Sequence, residues 1–342
     1  MSITIGIDPH KASHTAVAID DSEHVVDEIR VRACSAQTDQ LRCWATPFPD
    51  RVWAIESARG LGYLLAQQLV AAGETVVDVP AVLSTRTRLL GSGRAQKNDP
   101  NDARSVAITA LRNDALSSVR VDDHAQVLKL LVKRHRDLGR LRSKAACRLH
   151  VLLMELHPGG MAKEMTVTRA NELLDRAVIV DAMTEHRVAV GREFVADIDR
   201  YDQQMKASRK RLRTAVAASG TTLTDIRGVG VVVAAMIIGH VGNIERFASP
   251  AHFASYNATA PIEASSGENK RHRLNKRGNR QLNWAIHTAA VSQLRYPCEG
   301  REYYDRKRAE GKNTKEAIRA LKRQLSNVIY RTMVADAHRL EP

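Results

Sequence analysis

ITIGIDPHK, residues 3–11, decides the fold of this chain. Ile3, Thr4, Ile5 and Ile7 are β-branched and make a short apolar run, the pattern of a buried strand. The run ends on a carboxylate, Asp8, just before Pro9. A second run, residues 52–55 of VWAIES, ends the same way on Glu56. Further on, KNDPNDA (97–103) carries Asp99 and Asp102, three apart at an expected helix start and so on one helix face. Acids that close strands, joined by an acid pair on a helix, offer hard oxygen ligands on rigid elements. That is the donor set of a Mg²⁺ (or Mn²⁺) site.

Outward from the first strand, residues 17–19 and 25–31 continue a sheet, with Ser13, Asp20 and Asp21 marking turns. A helix over 36–45, the strand at 52–55, a helix over 60–72 closed by Gly73, a strand at 75–79 and a helical stretch opened by Pro80 follow. A three-strand meander followed by alternating helices and strands is the order of a ribonuclease-H-like sheet. In that order strands one and four are neighbours, which brings Asp8 beside Glu56. Each acid also has a plainer reading. Asp8 before Pro9 fits a turn, and Glu56 fits a cap partner. Asp99, Pro100 and Asp102 fit an N-cap, N1 and N3. Four clustered carboxylates repel one another, and a bound divalent cation offsets the repulsion. Lys11 and Lys97 flank the acids and either hold phosphate or stay solvated.

The rest of the chain is basic. Over 342 residues the net charge is +14 and the pI about 9.9, a balance that favours a polyanion over a small acidic substrate. A carboxylate-held metal inside a basic protein points to phosphodiester chemistry on nucleic acid. Four scattered cysteines without a C-x-x-C pair indicate neither a disulfide framework nor a zinc site. No apolar run approaches the roughly 20 residues a membrane span needs, and no charged head precedes the first strand, so a cytoplasmic location is expected.

The length allows about two or three domains. The first, 1–115, is the α/β metal domain. The second, 116–218, holds two long helical patterns. Leu128, Leu131, Leu138, Leu141, Leu149, Leu152 and Leu153 repeat at threes and fours over 122–157, and 168–218 reads likewise. The pair is expected to form a coiled-coil-like arm or an ordinary helical hairpin. The third, 219–342, is mostly helical. There Gly228-Val229-Gly230 leads into an apolar helix like a helix-hairpin-helix element, whose amides suit a phosphate. Between 269 and 280 stand six basic residues, Lys270, Arg271, Arg273, Lys276, Arg277 and Arg280.

GIDPHK, AIES and KNDPNDA, in this order, resemble the N-terminal domain of the DEDD transposases of the insertion-sequence-110 type. The C-terminal third resembles that family's second domain through IRGVG, ERFASPAHFASY, Pro261 followed by SSG, and NKRGNRQL. The resemblance covers nearly the whole chain. It implies a RuvC-like site in which Asp8, Glu56, Asp99 and Asp102 bind metal. It also implies a serine that attacks DNA, placed at Ser266 with Ser265 as its neighbour. Lys276, Arg277 and Asn279 match the family's motif and are expected to hold phosphate or position the strand. One departure is YNATAP, with Ala258 where the family usually has glycine. The resemblance further implies donor and target DNA, a structured guide RNA encoded by the element, and a homodimer or homotetramer whose active site combines subunits. The rival enzyme reading is a junction-resolving nuclease that activates water and needs no serine. GIDPHKASHTAVAID also slightly resembles the first phosphate loop of actin-like ATPases, but no later Gly-rich nucleotide motif follows. A nucleic-acid-binding protein without activity is the third reading.

Overall fold

A computed structural model describes residues 2–92, 98–159, 165–263, 272–273, 275 and 278–340. The chain divides into two compact units, Met1–Asp122 and Asp123–Pro342.

The first unit is built on β1 (Ile3–Pro9), β2 (Ser13–Ile19), β3 (Val25–Arg32), α1 (Gln37–Trp44), β4 (Arg51–Glu56), α2 (Tyr63–Ala71), β5 (Val76–Val79), α3 (Ala81–Ser92), α4 (Asp99–Leu111) and β6 (Ser117–Ser118). The strand order is β3-β2-β1-β4-β5-β6. The meander β1-β2-β3 is antiparallel, while β1, β4 and β5 run parallel. This mixed sheet has the ribonuclease-H-like order. Every residue of β1 is buried, because helices cover both faces of this central strand. Edge strand β3 is largely exposed and carries Asp27, Glu28, Arg30 and Arg32.

The two faces follow from the period of two. Ile3, Ile5 and Ile7 pack with Leu41, Leu65 and Leu69 on one side. Val17 and Ile19 pack with Ala103 and Ala107 of α4 on the other. On that second face α4 lies directly on β1 at Gly6. A Cβ built at Gly6 would stand 2.1 Å from the Ala103 carbonyl oxygen and 2.5 Å from the Ala107 nitrogen. Only glycine lets the helix backbone approach so closely, and this approach sets how near Asp99 and Asp102 come to Asp8. Gly6→Ala is expected to push α4 off the sheet and destabilise the protein by about 3 kcal/mol, measured as a lower urea midpoint.

The second unit contains α5 (His124–Leu156), α6 (Val167–Asp175), α7 (Ala182–Ala218), α8 (Val231–Val241), α9 (Pro250–Tyr256), β7 (Ile262–Glu263), β8 (His272–Arg273), α10 (Arg280–Gln293), α11 (Glu299–Ala309) and α12 (Thr314–Leu340). Helices α5 and α7 pair antiparallel. His124 meets the Ala215 carbonyl at 2.7 Å, Arg142 meets Asp202 at 2.6 Å and Glu155 meets Arg187 at 2.7 Å, so partners move in opposite directions along the two helices. The base of the pair, through Leu128, Val132, Leu212 and Val216, belongs to the same core as α8, α10 and α12. Farther out, Ala145, Leu149, Leu153, Leu174, Val195 and Ile198 form a separate small core.

The helical stretch expected over 168–218 is interrupted. Residues 176–181 leave the helix and Asp181 restarts it by accepting from the Thr184 amide at 2.7 Å. The β-branched run Val178, Ile179 and Val180 disfavours helix, and it stays exposed. The Gly228-Val229-Gly230 turn requires glycine at its first position. Gly228 has φ +85° and a Cβ there would meet the Ala289 carbonyl oxygen at 2.5 Å.

Candidate metal centre and nucleophile loop

Asp8 lies in β1 rather than in a turn. Ile7 pairs with Ile55, so Asp8 and Glu56 end neighbouring parallel strands. The helix-start acids arrive over the same face, since α4 packs on β1 and β2 there. The sequence suggested that Asp99 caps this helix. Instead Asn98 is the N-cap and its side chain accepts from the Asn101 amide at 2.9 Å. That shift of one residue leaves both acids without a capping task. They stand in the first turn, where negative charge is favoured by the helix dipole.

Burial, and then the negative neighbours Glu56, Asp102 and Asp99, push the Asp8 carboxyl up to about 6 from its ordinary 3.8. His10 opposes this. Its Nε2 stands 3.2 Å from Asp8 Oδ2 and 3.3 Å from Asp99 Oδ1. Among the described residues, Asp8, His10 and Asp99 form a set whose ligand atoms lie within 4.8 Å of one another. Ser84 donates to Glu56 Oε1 at 2.9 Å, and Arg88 donates to Asp102. In this acidic pocket His10 is shared by Asp8 and Asp99, while Glu56 and Asp102 each have a partner of their own.

Sequence reasoning missed three of those partners. His10 was visible, two residues beyond Asp8 in DPH, where strand periodicity repeats a face. Ser84 and Arg88 carried no signal, because their roles depend on α3 lying beside α4. Lys97 lies outside the described residues.

In the second unit the order of elements leads to another polar cluster. Ala258 has φ +59°, the left-handed conformation that favours glycine. Gly278 packs against it, a Cβ there standing 2.7 Å from the Ala258 Cβ. Asn279 caps α10 through Oδ1, which accepts from the Gln281 and Leu282 amides at 3.1 and 3.0 Å. Its Nδ2 donates to the Tyr256 hydroxyl at 3.0 Å. Asn283 Nδ2 donates to the Asn257 carbonyl at 2.8 Å, and Lys322 Nζ donates to Asn283 Oδ1 at 2.7 Å. Burial, and then Arg319, lower the Lys322 ammonium to about 8. This network anchors both ends of the segment between Tyr256 and Asn283. Ser265, Ser266, Lys270, Arg271, Lys276 and Arg277 lie outside the described residues, Arg273 is described only as part of β8, and Arg280 opens α10.

Two family models match the chain. A transposase model of the DEDD IS110 type covers residues 5–158, and one described as the transposase IS116/IS110/IS902 family covers residues 220–305. The chain belongs to the DEDD transposases of the IS110 type. An IS116 protein of 44.8 kDa from Streptomyces clavuligerus is 25% identical over 387 positions, spanning 99% of this transposase and 96% of that relative. An IS110 protein of 43.6 kDa from Streptomyces coelicolor is 26% identical over 385 positions, spanning 96% and 93%. RuvC from T. thermophilus, solved in complex with a Holliday junction substrate, aligns with 35% of this transposase at 16% identity and a TM-score of 0.28. The acid pocket falls within the first matched region and the Ala258–Asn283 cluster within the second.

The departure at position 258 leaves the backbone in the conformation glycine would adopt. An alanine there stores about 1 kcal/mol of strain, partly offset by the smaller entropy it gives the unfolded chain. In this transposase Ala258→Gly is therefore expected to be neutral or to stabilise by up to about 1 kcal/mol, whereas Ala258→Val is expected to destabilise. Paired urea melts check the sign. Among the described residues no helix is long and apolar enough to cross a membrane.

Proposed function

We propose that this transposase cuts and rejoins DNA strands with Asp8, Glu56, Asp99 and Asp102 holding divalent cations, Mg²⁺ or Mn²⁺, and with Ser266 as the nucleophile. The observation that carries the reading is the gathering of four carboxylates from three elements in one pocket, where burial and then the other three acids push Asp8 to about 6. The donors fit the ion: they are hard oxygens, and His10 now occupies the position between Asp8 and Asp99 that a cation would share. Bound there, the cations would lower the pKa of the attacking oxygen and stabilise charge on the phosphate and the leaving oxygen.

The protein's own groups do the rest. Ser84 and Arg88 fix the Glu56 and Asp102 carboxylates. The Ser266 hydroxyl attacks phosphorus, an Oγ–P bond forms, and the P–O bond to the leaving strand breaks as that oxygen takes up a proton. The phosphoserine link conserves the bond energy for rejoining. Lys270, Arg271, Arg273, Lys276, Arg277 and Arg280 neutralise charge on the phosphates. Asn279 positions the loop, since its Oδ1 and Nδ2 are already engaged inside the protein. The excess of positive charge suits the backbone of a structured guide RNA read by shape. The exposed Val178, Ile179 and Val180, in the segment between α6 and α7, support a role for that arm in self-association.

The test uses supercoiled DNA carrying the sequences that flank this coding region, with the RNA transcribed from them. Mg²⁺ should produce a protein–DNA adduct that survives denaturation, and EDTA should prevent it. Cation-dependent nicks without any adduct would replace this reading with that of a nuclease activating water.

A further inference from the structure

A cleft of about 460 Å³ lies beside Asp99 on the face of the sheet that α4 covers, towards edge strand β3, lined by Thr15, Glu28, Arg30, Asn98 and Asp99 among others. Its position follows from register. Asp8 pairs with Thr15, and Thr15 pairs with Arg30. Directly opposed residues share a face, so Glu56, Asp8, Thr15 and Arg30 form one row across four strands: two acids, a hydroxyl and a guanidinium. Thr15 is 3% exposed, and among the described residues its hydroxyl has no hydrogen-bond partner. An unmet buried hydroxyl is costly, and Thr15 is one of the residues that line the cleft. Arg30 is pre-set beside it, with Nε and Nη2 donating to Ser13 Oγ at 3.3 and 3.1 Å. Its Nη2 also forms an ion pair with Asp99 Oδ2 at 3.6 Å, a contact too long for a hydrogen bond.

We infer that this cleft holds a backbone phosphate of the DNA strand, a short way along from the phosphate at the metal site, with Thr15 donating its hydroxyl and Arg30 supplying charge. The inference rests on the metal-site reading above, because it needs the same strand to reach the carboxylates. Two strand spacings, about 10 Å, separate Arg30 from Asp8, and a DNA strand covers that in roughly three nucleotides of rise. Glu28 stands on Arg30's strand and face two residues away, so its charge confines the phosphate to the Arg30 end.

The full-length protein is titrated with a mixed-sequence duplex DNA in EDTA, where cleavage cannot contribute, over a range of salt. Arg30→Gln is expected to flatten the slope of log K against log salt by about one, and Arg30→Lys to keep it. Thr15→Val is expected to weaken binding about threefold to tenfold without changing the slope, while leaving the melting temperature of the DNA-free protein equal or higher. Glu28→Gln is expected to tighten binding. A structured RNA serves as the second arm, and its affinity should not change. Wild-type slope and affinity for duplex DNA in both Arg30→Gln and Thr15→Val would overturn the proposal, as would losses confined to the RNA arm. Asp102→Asn, assayed separately for the Mg²⁺-dependent adduct, tests the metal site: an adduct that persists there would sink that reading and leave the binding data standing by themselves.

Discussion

Asp8→Asn is expected to abolish strand cleavage and at the same time to make the cation-free protein more stable at neutral pH. The two effects have one cause. Asp8 is buried at the end of a central strand among three other acids, and its carboxyl is raised to about 6. A folded-state pKa above the unfolded value means that the folded chain holds the proton more tightly. The Asp8 contribution to stability is therefore greatest below pH 4 or so, where Asp8 is protonated in both states, and is lost as the pH rises through about 6. By pH 8 the loss is on the order of 3 kcal/mol. Asparagine keeps the shape and removes the charge. In EDTA at pH 8 the variant should melt higher than the parent, and at pH 4 the difference should shrink. Added Mg²⁺ should raise the melting temperature of the parent and do little for the variant. On the proposed reading, cleavage loses a metal ligand worth several kcal/mol of transition-state stabilisation, a fall of at least about 10³-fold. A variant that melted lower than the parent in EDTA at pH 8 would contradict the electrostatic account, whatever its activity.

Ser266→Ala is expected to remove the covalent protein–DNA adduct while leaving RNA affinity and thermal stability as they were. Alanine has no oxygen to form the bond to phosphorus, so adduct formation should fall at least about 10³-fold. Ser265→Ala is the partner experiment and should retain the adduct. The reverse result would move the nucleophile to Ser265, and an adduct retained in both would place it on neither. A mobility-resolved adduct assay after denaturation separates the three outcomes.

The sheet order was legible because two simple signals coincided. Apolar runs marked the strands, and each of two runs ended on an acid. The meander at 3–32 followed by alternating helices and strands then left one arrangement, which the structure has. The start of α4 was legible only approximately. Asn98, Asp99 and Asp102 are all good residues for a helix N-terminus, and local propensity does not choose among them. The packing of α4 on Gly6 fixes the register, so Asn98 takes the cap and the acids turn towards Asp8. The break between α6 and α7 was also missed, since the charged residues on either side read as a continuous helical pattern.

Sequence alone determined the elements of the first sheet, the family the chain belongs to, and the four acids that meet at the pocket. Those follow from local chemistry: the period of apolar residues, and motifs whose spacing survives in a linear string. Tertiary structure decided what surrounds those acids. His10 between Asp8 and Asp99, Ser84 on Glu56, Arg88 on Asp102, and the Thr15–Arg30 row all join residues from different elements. Burial and like charge raise Asp8 only after α4 has closed over β1, because desolvation and Coulomb interactions depend on distance in space and not along the chain.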